Sequence, residues 1–242
     1  MINLGKTNIK SKNFQFIKMT HLSIQLPDLK KSVIDFMLLV RSQINNGFEA
    51  LKTFDKQMAM QIVSTEKRAN AYELKIDADC ESYIALYQPV AIDLRFVLAV
   101  YNMNSTLERI ADHAEGIARY IIDFDEPLYD KTLVRLRLDK MYAHVIAMLD
   151  SIITAFDKED TKLARKVFDD DIFVNEINRS SPPIVKELIL EYPDKIEQIL
   201  YLNSIIKKIE RIGDLTKNMA EELIFYTEAK VLKHINKKVD ID

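Results

Sequence analysis

The segment Glu108-Arg109-Ile110-Ala111-Asp112 returns 102 residues later as Glu210-Arg211-Ile212-Gly213-Asp214 (210 minus 108, 214 minus 112). An apolar-Ala step follows each copy, Ile117-Ala118 in the first and Met219-Ala220 in the second. A motif that recurs together with its neighbours implies a duplicated unit, and a chain so built folds as two like halves. On a helix, Glu and Asp four residues apart stand one above the other, about 5–6 Å apart at Cβ.

Each half reads as three helices. The chain has 4 Gly, 6 Pro and no Trp in 242 residues, with 48% apolar and 29% charged positions. So few breakers favour long helices over a many-turned β architecture, and the length allows a sizeable core. Residues 1–26 read as an irregular leader. Pro27-Asp28 then predicts a helix start, with Leu29, Val33, Phe36, Leu39, Val40, Ile44 and Phe48 at helical spacing. A second helix is expected over 57–86 and a third over 90–123, the two separated by Gln88-Pro89.

The second half, 127–242, predicts helices over 130–156, 160–179 and 194–233. Ser180-Ser181-Pro182-Pro183 and a short helix stand between the last two. Phe54-Asp55-Lys56 recurs as Phe156-Asp157-Lys158 at the same offset of 102 (156 minus 54), and Glu66/Asn70 match Asp171/Asn175 at 105 (171 minus 66). The expectation is an all-α chain of two tandem three-helix bundles, 27–126 and 127–242, related by an internal pseudo-twofold.

Helical phasing turns the acids away from the core. Phe96, Val100, Met103, Leu107, Ile110, Ala114, Ile117 and Ile121 form a narrow apolar seam. Glu108 and Asp112 lie roughly 130–170° from its centre. Glu210 and Asp214 stand in the same relation to Leu202, Ile205, Ile206, Ile209, Ile212, Ala220 and Leu223. Like charges at this spacing destabilise a helix by a few tenths of a kcal/mol. A cation removes that penalty, and oxygen-only donors suit Mg, Ca, Mn or Fe better than Zn or Cu. The bland alternative is a solvated polar face.

Other features narrow the field. A net charge of −3 leaves no basic footprint for nucleic acid. One cysteine, Cys80, excludes an internal disulfide, in keeping with a reducing cytoplasm. No signal peptide and no membrane span are read, so any membrane contact is expected to be peripheral. No Gly-rich phosphate loop, no Ser/His/Asp order and no Glu-x-x-His step stands out.

The run Gln88-Pro89-Val90-Ala91-Ile92-Asp93-Leu94-Arg95, followed by Leu107-Glu108-Arg109-Ile110-Ala111-Asp112-His113-Ala114, resembles the PhoU family. The second half resembles the family's second repeat through Ile209-Glu210-Arg211-Ile212-Gly213-Asp214. Departures are Ile92 for the usual Arg, Ala111 for Gly, and Leu215 for His after the second Asp. The resemblance covers about residues 28–234. It implies two three-helix bundles with multinuclear metal sites on the acid pairs.

On that reading Glu108, Asp112, Glu210 and Asp214 are ligands to a divalent or trivalent metal (Fe, Mn, Mg or Ca). Glu66, Asn70, Asp171 and Asn175 are companion ligands from the second helix of each repeat. Arg109, Arg211 and His113 support the carboxylates from behind, with phosphate contact by the two arginines as an alternative. Asp93 favours a helix first turn through the dipole, and the resemblance adds a partner-contact role for Asp93 and Arg95.

The function implied is a non-enzymatic cytoplasmic regulator of phosphate transport and phosphate-starvation signalling. It would join the ATPase subunit of a phosphate ABC transporter, or a sodium-phosphate cotransporter, to a two-component sensor histidine kinase, meeting the membrane only through the transporter. A homodimer formed through the same broad face belongs to this expectation. A carboxylate-bridged metalloenzyme of helical-bundle type and a metal-free helical scaffold are the competing classes.

Overall fold

The computed structural model describes residues 7–127 and 130–229, and every regular element among them is helical. The helices are α1 (Thr7–Thr53), α2 (Lys56–Tyr87), α3 (Ala91–Asp123), α4 (Asp130–Arg135), α5 (Leu138–Lys158), α6 (Thr161–Glu191) and α7 (Ile196–Glu228). A 3-10 turn at Pro193–Lys195 leads into α7. Helices α1–α3 pack as one three-helix unit and α5–α7 as a second, while the short α4 lies on α5.

Equivalent capping starts the second helix of each unit. Asp55 Oδ1 accepts from Met58 N at 2.9 Å, and Asp160 Oδ1 accepts from Lys162 N at 2.9 Å and Leu163 N at 3.1 Å. Each carboxylate thus satisfies amides that the first helical turn leaves open. The counterpart of Asp55 is therefore Asp160 and not the sequence match Asp157. Phe156, matched in sequence to Phe54, lies fully buried inside α5.

Four boundaries differ from expectation. The segment 7–26, expected as irregular, is helical, and α1 runs on through Pro27, which forfeits one helical hydrogen bond; residues 1–6 lie outside the described residues. The helix expected over 130–156 breaks at Leu136-Arg137, where Arg137 adopts φ 54°. Leu136 and Leu138 are both buried, and side chains two apart on one helix point about 200° apart. The break turns both inward.

In the third case, α6 passes straight through Pro182-Pro183. Pro182 cannot donate to the Asn178 carbonyl, but Ser181 Oγ does so at 2.9 Å, while Val185 and Leu188 continue the buried face. In the fourth, α7 ends at Glu228, and the remainder of the expected 194–233 helix from 230 onward lies outside the described residues.

The core runs without interruption through both units. All eight seam residues of α3 are buried, as are the seven named on α7. Val97, Ala99, Ala111 and Ala118 are buried as well, because α3 is covered by α2 on one flank and α7 on the other. Phe96 meets Tyr226 edge-on at 5.4 Å and Tyr120 stacks on Tyr201 at 5.0 Å, so α3 and α7 cross antiparallel. Across the second seam, Phe48 stacks on Tyr142 at 4.5 Å, and Arg41 grips Asp150 through two bonds of 2.8 and 3.0 Å.

Candidate functional site

In the second unit α6 and α7 bring Asp171, Asn175, Glu210 and Asp214 together. Asp171 is only 5% exposed. It packs against Gly213 of α7, where a Cβ would lie 3.3 Å from Val174 Cγ1 and 3.6 Å from Asp171 Oδ1. Asp171 Oδ2 accepts from Asn175 Nδ2 at 3.1 Å and from Lys217 Nζ at 2.7 Å, and Lys217 also reaches Asp214 Oδ1 at 3.4 Å. Burial alone would lower the Lys217 ammonium, but its hydrogen bond to Asp171 and the charges of both aspartates hold it above its ordinary value. Glu210 is pushed up by burial first and then by Asp214.

In the first unit the α2 carboxylate that acts on Glu108, and on which Asp112 acts, is Glu73, a residue the sequence reading did not name. Burial, then Asp112 and Glu73, raise Glu108; burial, then Asp77 and Asp112, raise Glu73. Asn104 Nδ2 fixes the register by donating to Asp77 Oδ1 and to the Glu73 carbonyl, both at 2.8 Å. Glu66 lies nearer the other end of the helix pair, where it acts on Arg119, itself paired with Glu115. Asn70 is exposed.

The capping aspartates are 105 residues apart (160 minus 55), the same offset that relates Glu66 to Asp171 and Asn70 to Asn175. The buried faces keep that register, with Ala59, Ile62, Ala69, Ile76, Cys80 and Tyr83 of α2 answering Ala164, Val167, Val174, Ser181, Val185 and Leu188 of α6.

Among the supporting residues, Arg211 reaches Asp214 at 3.4 Å and Glu210 at 3.9 Å. Arg109 is exposed and its charge partly offsets the rise at Glu108. His113 is pulled below its ordinary value by burial and by Lys208, Arg109 and Arg211. Arg95 Nε donates to the Tyr226 carbonyl at 3.2 Å, near the end of α7, which ties the two units together. Asp93 lines a cleft of about 440 Å³ with Pro27, Lys30, Phe96, Glu159 and Tyr226.

Metal chemistry fits the first cluster by donor type. Glu73 and Glu108, both raised by burial and by neighbouring acids, would be relieved by a hard cation. As the side chains stand, no three His, Cys, Asp or Glu among the described residues converge on one ion position. In the second cluster the corresponding space holds the Lys217 ammonium.

Comparison with known proteins follows the same architecture. The family model described as the PhoU domain matches residues 33–121 and again 138–223, once in each unit. A phosphate-specific transport system accessory protein PhoU homolog from Aquifex aeolicus is 33% identical over 211 residues, covering 87% of this chain and 94% of that protein. The Escherichia coli (strain K12) accessory protein PhoU is 27% identical over 214 residues, covering 87% of each. The crystal structure of PhoU from Pseudomonas aeruginosa superposes with a TM-score of 0.81 at 27% identity, over 86% of this chain and 99% of that one. The phosphate transport system regulatory protein PhoU from Streptococcus pneumoniae gives 0.77 at 26% identity, over 87% and 99%.

Proposed function

Because this chain belongs to the PhoU family, we propose that it is an accessory regulator of a phosphate-specific transport system, acting without catalysis of its own. The observation that carries this reading is the double family match, one in each three-helix unit, along the near-full length of relatives that bear that name. No helix among the described residues is long and apolar enough to cross a membrane. The protein would work from the cytoplasm, docking to the transporter's ATPase subunit and to a two-component sensor histidine kinase, and it would restrain both when phosphate is plentiful. A homodimer is part of the same proposal.

Metal has a place in this reading on the first acid motif, where Glu108 and Asp112, with Glu66 and Asn70 as companions and Glu73 nearby, would hold Mg, Ca, Mn or Fe. A bound cation would neutralise the cluster and stiffen the α2–α3 face. Rigid helices then present that face to a partner, which is what an adaptor requires.

Deletion of the gene tests the regulatory role. Phosphate-starvation genes are expected to switch on in phosphate-rich medium and to be silenced again by the wild-type chain. Unchanged expression in the deletion strain would remove the proposal. Co-purification of the tagged protein with the transporter ATPase and with the kinase tests the adaptor role separately.

A further inference from the structure

A cleft of about 440 Å³ opens where the two units meet. Pro27 and Lys30 of α1 and Ile92, Asp93 and Phe96 of α3 line it from the first unit. Glu159, which caps α5, and Tyr226, in the last turn of α7, line it from the second. Even Phe96, the lining residue of α3 nearest to the acid motif, stands roughly 18 Å along that helix from Glu108.

The floor is rigid and apolar. Phe96 meets Tyr226 edge-on at 5.4 Å, and Phe156 stacks on Phe96 at 6.1 Å. The walls are tied across the two units. Arg95 Nε donates to the Tyr226 carbonyl at 3.2 Å, and Lys30 Nζ donates to the Asp157 carbonyl at 2.7 Å and to Glu159 Oε1 at 3.3 Å. Such a cavity is largely formed before any ligand arrives, and its size and mainly apolar lining are those of a small-molecule site between domains.

Two polar groups of the lining have no partner among the described residues. Asp93 is half-buried, and its carboxylate makes no hydrogen bond or ion pair there. The Tyr226 hydroxyl is buried and unbonded. Buried polar groups are otherwise almost always paired, so a vacancy beside an open cleft marks room for a ligand or its water. Lys30 already answers Glu159, which leaves the charge of Asp93 over the aromatic floor. That combination is complementary to an ammonium group carried on an apolar body.

We propose that the cleft binds a small amphipathic amine, its ammonium paired with Asp93 and its apolar body laid on Phe96, Tyr226, Pro27 and Ile92. The ligand touches both units at once and clamps them together, so its binding stabilises the whole fold. Neither metal nor a transport partner enters the recognition.

Isothermal titration calorimetry at neutral pH tests this with three probes of one shape: 4-phenylbutylamine, 4-phenylbutanol and 5-phenylpentanoate. The amine is expected to bind about tenfold or more tightly than the alcohol, and the carboxylate more weakly than either. In Asp93→Asn the amine should fall to the level of the alcohol, whose own binding stays near wild type. Ile92→Trp fills the cleft and should abolish binding of all three. Asp139, an exposed acid in the first turn of α5, supplies the control, and Asp139→Asn should change nothing. The amine should raise the thermal unfolding midpoint of the wild type and of Asp139→Asn, but not of Ile92→Trp.

Equal affinity for amine and alcohol overturns the proposal, as does amine binding that survives Asp93→Asn or Ile92→Trp at full strength. Should Ile92→Trp fail to fold, Asp93→Asn decides. No binding of the amine to the wild type up to its solubility limit also overturns it. Tighter binding of an acetylated phenylalanyl-lysine amide than of the amine would assign the cleft to a partner's chain and remove the small-molecule reading.

Discussion

Asn104 lies fully buried on α3 and donates from its one side-chain amide to Asp77 Oδ1 and to the Glu73 carbonyl, both at 2.8 Å. This contact joins the middle of α3 to the acid-bearing turn of α2. It pins that turn of α2 against α3 and gives the Asp77 carboxylate a neutral donor.

Replacing Asn104 by Leu deprives two acceptors of their donor while keeping side-chain bulk. A loss of about 1–3 kcal/mol is expected, read as a lower urea midpoint with unchanged slope. A variant as stable as the wild type would show that the contact does not hold the register.

Glu73, Glu108 and Glu210 are all raised above the ordinary 4.5 by burial first and by neighbouring acids next. A carboxylate raised in the folded state binds its proton more tightly there than when unfolded. It favours folding at low pH, and that contribution is lost as pH rises through the raised value. Glu108→Gln should therefore be more stable than the wild type at neutral pH. The gap should narrow as pH falls toward 4.5, followed by thermal unfolding in chelator. A gap that is constant with pH would contradict the sign.

Cys80 is fully buried against the Val97 carbonyl, and burial, helped by Asp77, Asp79 and Glu81, pushes its thiol up to about 12. The reactive thiolate is thus scarce and shielded. An aromatic disulfide reagent should titrate one thiol in denaturant and none in the folded protein within hours. Rapid native labelling would mean that α2 opens.

Gly47 sits in the interior of α1, where an added Cβ meets only Ile62 Cδ1 at an ordinary 3.8 Å. Alanine there removes backbone freedom from the unfolded chain without a clash. Gly47→Ala should raise stability by about 0.5–1 kcal/mol in urea titration.

The places where structure departs from sequence expectation share a cause. Leu136 and Leu138 are both apolar, and only burial of both forces the turn between them. Pro182 reads as a helix end, yet a hydroxyl one residue earlier supplies the missing donor, and a buried face beyond it keeps the helix going. In both cases the local signal was real, and burial against the rest of the chain decided the outcome.

Helical content, the duplication and the apolar faces of α3 and α7 were legible in the sequence by itself, because spacing along a helix is a local property that repeats every few residues. The acid motifs at 108–112 and 210–214 were legible for the same reason. Only the tertiary structure set Glu73 beside the first of them, on the turn of α2 that Asn104 pins to α3. Only it turned Lys217 from one more surface lysine into the counter-ion of Asp171, because the packing of α6 on α7 buries that carboxylate within 2.7 Å of the ammonium.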